Sequence, residues 1–116
     1  MKKILIVDDE DVILDTYQEM LSDKYNVDVC NNPMDVLAMC KDNQYDVVVT
    51  DYNMHGMDGL TLSNAIVNEI GAKIIMMTGN VDTQYIEDNP NVSGIVIKPV
   101  MIKTLKAEIE TVLNKV

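Results

Sequence analysis

Three acidic residues, a lysine and a threonine each stand directly behind a short apolar run of this 116-residue chain. Asp8 and Asp9 follow residues 4–7, Asp51 follows 47–50, Thr78 follows 74–77, and Lys98-Pro99 follows 95–97. Carboxylates brought to one rim repel one another unless a cation joins them, and hard oxygen donors suit Mg²⁺, which keeps waters and shares phosphate oxygens. A carboxylate can attack phosphorus and hold an acyl phosphate. Mg²⁺ and an ammonium offset charge on the equatorial oxygens of a loose transition state. In this half-built phosphate site Asp51 is the candidate nucleophile, Lys98 the cation, and Thr78 the hydroxyl that contacts the transferred group.

That chemistry needs the runs to end on one side of one sheet. Five runs rich in β-branched residues recur, at 4–7, 27–30, 47–50, 74–77 and 95–97. Being apolar on consecutive positions, they suit strands covered on both faces. Between them lie helical patterns. Ile13, Leu14, Tyr17, Met20 and Leu21 share one helix face, as do Leu105, Ile109, Val112 and Leu113. Val36, Leu37 and Cys40 mark a second helix, and Leu62, Ala65, Ile66 and Ile70 a third. The fourth, over 81–88, has few apolar positions and meets Asn89-Pro90-Asn91, so it is expected to be short. Strand alternating with helix predicts an α/β fold with a parallel sheet and helices on both faces. In such sheets ligands bind beyond the carboxyl ends of the strands, where strand order reverses.

Composition bounds what else the chain can be. Its length and 47% hydrophobic content predict a single domain over residues 1–116 with a full core, aliphatic and thioether in character because there are nine Met and no Phe or Trp. Nineteen acidic against nine basic residues give a formal charge of −10, a field that repels phosphate backbones and anionic lipid. No nucleic-acid or membrane partner is expected. Cys30 and Cys40 have no metal-ligand spacing and read as reduced, structural thiols. The opening apolar run of four is too short for an export signal or a membrane span, so the cytoplasm is the expected compartment.

Together, in order, these pieces resemble the response-regulator receiver family over essentially the whole chain. The matching residues are Ile-Val-Asp8-Asp9-Glu10, then Val-Thr-Asp51-Tyr-Asn-Met with Gly56-Met57-Asp58-Gly59, then Met-Thr78-Gly79, then Lys98-Pro99. The resemblance implies a flavodoxin-like, doubly wound five-stranded parallel sheet of order 2-1-3-4-5. It implies that Asp9 and Asp51 ligate Mg²⁺ directly with the backbone carbonyl of Asn53, that Asp8 acts through metal-bound water, and that the Lys98-Pro99 peptide is cis. It also implies a histidine kinase or phosphotransfer protein as phosphodonor, a downstream protein target, and a population shift in which Thr78 and its loop move toward the phosphoryl group. Asn53 and Asn80, two places beyond Asp51 and Thr78, would tune phosphoryl lifetime.

The chain departs from the family at three places. Ile95 stands three residues before Lys98, where Tyr or Phe is usual; Met54-His55-Gly56 stands where Met-Pro is common; and the span from Thr78 to Lys98 is short. These bear on aromatic gating and on which surface carries the output. Plainer readings apply elsewhere: Glu10 as a helix acid near the first turn, His55 as a solvated loop residue, Met76 and Met77 as core. Two other function classes compete, the first of which shares the architecture. A flavodoxin-like cofactor binder would need a Ser/Thr/Gly-rich loop after the first strand, and an aspartyl phosphatase tends to carry a second acid where Asn53 stands.

Overall fold

The computed structural model describes residues 1–80 and 82–115. Ten elements alternate along the chain: β1 (Lys3–Val7), α1 (Asp11–Leu21), β2 (Asn26–Cys30), α2 (Pro33–Asp42), β3 (Val47–Asp51), α3 (Gly59–Ile70), β4 (Lys73–Thr78), α4 (Gln84–Glu87), β5 (Val92–Ile97) and α5 (Ile102–Leu113). The strands form one parallel sheet of order β2-β1-β3-β4-β5. This is the expected doubly wound fold.

Side chains alternate across each strand, so the consecutive apolar runs feed two cores. Ile4, Ile6, Val47, Val49, Ile75, Met77 and Val96 face Leu14 and Leu21 of α1 and Leu105, Ile109 and Val112 of α5. Leu5, Val7, Val48, Ile74 and Met76 face Val36 and Cys40 of α2, Leu62 and Ile66 of α3, and Ile86 of α4. Met76 and Met77 are both fully buried. Each such side chain removed from water contributes about 1.5–3 kcal/mol before entropy is counted. The helical stripes follow the sequence pattern with one exception: Met20 is 46% exposed, on the rim of α1's apolar face.

Local signals set the helix ends. Asn32 caps α2 by accepting from the Met34 amide at 3.0 Å, with Pro33 in the first turn. Asp58 caps α3 through the Thr61 amide at 2.8 Å, and Gly71, at φ 68°, ends it in the left-handed conformation. Helix α4 is a single turn held by buried Ile86; Val81 lies outside the described residues. Beyond it, Asn89 and Asn91 both donate side-chain hydrogen bonds to Asn64 Oδ1 on α3, at 3.0 and 2.8 Å. Strand β5 begins at Val92, three residues earlier than its apolar run, with a register irregularity opposite Ile74 and Ile75. At Gly94 a Cβ would stand 3.0 Å from Val112 of α5, so the missing side chain lets helix and strand approach.

Cys30 and Cys40 are free and buried, and burial pushes both thiols up. No helix among the described residues is long and apolar enough to cross a membrane.

Candidate functional site

Strand order reverses between β1 and β3, because the chain leaves β1 for β2 on one side and returns to β3 on the other. The crevice beyond their carboxyl ends is where the predicted residues meet. Backbone pairing carries each to that rim. The Asp8 amide donates to Cys30 O at 3.2 Å, Tyr52 N to Met77 O at 2.9 Å, and Lys98 N to Thr78 O at 2.8 Å. Each strand pairing thus runs one residue past the core into the site.

Asp8, Asp9 and Asp51 each present a carboxylate oxygen within 4.8 Å of the other two. Lys98 Nζ donates to Asp51 Oδ2 at 2.8 Å and stands 3.7 Å from Asp8 Oδ2. Asp8 and Asp51 are buried, Asp9 lies at the open edge, and Lys98 is half-buried. Thr78 is buried one residue beyond the level of Asp51 on the neighbouring strand, and its Oγ1 accepts from the Asn80 amide at 3.1 Å. Asn53 is exposed and shares an open depression with Asp9, Met54 and His55. The Lys98-Pro99 peptide is cis.

Asp8 is held by contacts of two kinds. Its Oδ1 accepts from the Glu10 amide at 3.0 Å, which fixes the carboxylate, whereas Oδ2 is buried without a hydrogen-bond partner, alone in this among the described residues. Burial raises the Asp8 pKa; the Glu10 amide and the Lys98 charge oppose that rise, and the Asp51 charge adds to it. Lys98 shows the complement. Burial disfavours its ammonium, yet the hydrogen bond and charge of Asp51, with Asp8 behind it, hold its pKa above the usual lysine value. A buried carboxylate oxygen with no partner costs stability unless a ligand completes it. Three carboxylates that bring hard oxygen donors within 4.8 Å of one another, beside that buried oxygen, fit a Mg²⁺ ion.

Glu10 is the residue just before α1, and its side chain makes no capping bond. His55, expected to be solvated and unpartnered, is fully exposed but sets Nδ1 3.3 Å from Asp9 Oδ2. A second relationship escaped the sequence reading. Tyr52, next to Asp51, meets Tyr85 of α4 edge to face, with centroids 5.5 Å apart and planes at 71°. The neighbouring Tyr85 side chain, then burial, raises the Tyr52 phenol pKa. Both tyrosines were visible, but nothing in their spacing pairs residues so far apart in the chain.

Gly59 lets the start of α3 lie against this rim. A Cβ there would stand 2.6 Å from Asp51 O, 2.7 Å from Met76 Sδ and 2.9 Å from Tyr52 Cα. Its amide donates to Tyr52 O at 2.8 Å.

Comparison with known proteins places this arrangement in context. The family model for the response regulator receiver domain matches residues 4–110. A chemotaxis protein CheY of Pseudomonas aeruginosa is 31% identical over 121 residues, covering 98% of each chain. The rice two-component response regulator ORR21 is 29% identical over 118 residues; the match takes in 97% of this chain but only 17% of that protein's length. Among solved structures, the response regulator TrrA of Thermotoga maritima, in complex with Mg²⁺-BeF, superimposes with a TM-score of 0.84 at 29% identity, covering 97% of this chain and 99% of that one.

Proposed function

The chain belongs to the response regulator receiver domain family, and from that premise we propose that Asp51 accepts a phosphoryl group in a Mg²⁺-dependent reaction that switches binding to a downstream protein. Family membership makes it a regulatory domain of two-component signalling. The finer reading takes residues 1–116 as one receiver domain working in the cytoplasm, with a histidine kinase or phosphotransfer protein as donor.

In this reading an Asp51 carboxylate oxygen forms the new bond to phosphorus as the bond to the donor breaks, and the electron pair leaves with the donor. Mg²⁺, when bound by Asp8, Asp9, Asp51 and the Asn53 carbonyl, supplies positive charge for the phosphoryl oxygens. Lys98, already 2.8 Å from Asp51, can follow one of those oxygens without crossing the site. Thr78 ends the neighbouring strand, where its hydroxyl can donate its hydrogen to the incoming oxygen while still accepting from the Asn80 amide. Hydrolysis of the acyl phosphate resets the switch. The domain therefore turns over only its own phosphoryl group and is not an enzyme acting on a separate product.

The observation that carries this reading is the convergence of three carboxylates with oxygens within 4.8 Å of one another, with Lys98 on Asp51 and Asp8 Oδ2 buried without a hydrogen bond. Incubation with acetyl phosphate and Mg²⁺, followed by intact-mass analysis, tests it. One acid-labile phosphoryl adduct is expected, abolished by chelation and by Asp51→Asn. An adduct that survives Asp51→Asn overturns the assignment.

A further inference from the structure

We propose that His55 is a nitrogen ligand for the divalent ion at this site, so that the site favours imidazole-accepting first-row ions such as Mn²⁺, Co²⁺ and Ni²⁺ over Mg²⁺ to a degree that carboxylates alone would not produce. The inference rests on the cation site proposed above and adds a donor of different chemistry to it.

Geometry is the first support. His55 Nδ1 stands 3.3 Å from Asp9 Oδ2. Two donors bound to one ion at about 2.1 Å lie about 3.0 Å apart at a right angle and about 3.4 Å apart at a tetrahedral angle. The observed separation falls between these, so an ion on Asp9 Oδ2 can take the imidazole nitrogen with only a small adjustment. His55 and Asp9 line the same open depression as Asn53, on the solvent side of the carboxylate cluster. Asp8, fully buried, marks the inner side of the cluster. Oxygen donors inside and one nitrogen outside would enclose the ion.

The ring's surroundings are the second support. The His55 side chain is 101% exposed, so ligation takes it from no packed position and strips little water from it. Its only polar partner among the described residues is the Asp9 carboxylate. A carboxylate holding one ring nitrogen without covering the ring is poised to share an ion with it. Mg²⁺ gains little from such a nitrogen, because it favours oxygen donors, whereas affinity for imidazole rises from Mn²⁺ through Co²⁺ to Ni²⁺.

The chain contains one histidine, so the test has a single site. Calorimetric titration of the full chain with MgCl₂, MnCl₂ and NiCl₂ would compare the wild type with His55→Gln and Asp9→Asn, and Mn²⁺-loaded samples would be examined for ¹⁴N coupling by electron spin-echo spectroscopy. His55→Gln is expected to weaken Ni²⁺ about tenfold or more while leaving Mg²⁺ within about twofold, and to remove the nitrogen coupling. Equal losses for Mg²⁺ and Ni²⁺, or no loss of Ni²⁺, would overturn the inference. If Asp9→Asn abolishes Mg²⁺ binding while His55→Gln leaves Ni²⁺ unchanged, only the nitrogen ligand fails. If Asp9→Asn changes neither ion, the cation site itself fails, and the inference with it.

Discussion

Tyr85 of α4 stands edge-on to Tyr52, the residue that follows the candidate phosphoacceptor, with ring centroids 5.5 Å apart. Strand β5 carries no aromatic residue, and Ile95 holds the position where the family usually has one. The aromatic contact nearest the site therefore runs to α4. An edge-to-face pair is worth about 0.5–1.5 kcal/mol beyond its buried area, and the 41% exposure of Tyr85 puts it at the low end of that range. Tyr85→Ala should lower the urea midpoint slightly and blunt the spectral response of α4 amides to beryllofluoride. Tyr85→Phe should keep the ring contact but remove the neighbouring hydroxyl, so Tyr52 should titrate closer to the ordinary phenol value in an alkaline ultraviolet titration.

Asp8→Asn is expected to stabilise the metal-free protein by about 1–2 kcal/mol near neutral pH, because it removes the charge from a buried oxygen that has no hydrogen-bond partner and faces Lys98 only at 3.7 Å, while Lys98 keeps its closer pairing with Asp51. The sign follows from the raised pKa. The folded state holds the Asp8 proton more tightly than the unfolded chain, so the group favours folding below the ordinary aspartate range and loses that contribution as pH rises through its elevated value. The gain from Asp8→Asn should accordingly shrink toward zero in acid. Thermal melts with and without Mg²⁺ would read it: the ion should raise the wild-type Tm more than that of the variant.

Gly59→Ala should cost about 1–3 kcal/mol, since the added methyl would overlap Asp51 O and Tyr52 Cα, backbone atoms that cannot rotate away. Because the strain falls on the strand end that carries Asp51, acetyl phosphate should also label the variant more slowly. Labelling at the wild-type rate, with stability lost, would separate the two effects.

Lys98→Ala should bind Mg²⁺ at least as tightly as the wild type, because the ammonium now competes for Asp51 and stands 3.7 Å from Asp8. It should nevertheless fail to switch. Amide spectra that shift on adding beryllofluoride as the wild type's do would contradict this.

The placement of Asp8, Asp9, Asp51, Thr78 and Lys98 was readable in the chain because each follows the last apolar residue of a run, and a parallel sheet must bring such ends to one rim. Their spacing also anticipated the one-turn α4, since Asn89-Pro90 leaves no room for a second. Contacts between loops were not readable. His55 reaches Asp9 across 46 residues, and Tyr52 meets Tyr85, through loop geometry that no periodicity encodes. The early start of β5 was hidden because Ser93 and Gly94 break the apolar run, while an edge strand needs only backbone pairing on one side. Met20 fits the helical repeat but falls at the stripe's margin, where a small rotation of α1 decides between core and water.

The two amides that Asn89 and Asn91 place on Asn64 give the segment after α4 a fixed post on α3. With its C-terminal side tied there and Ile86 fully buried, α4 could be displaced only by pivoting about Asn89, not by sliding along the sheet.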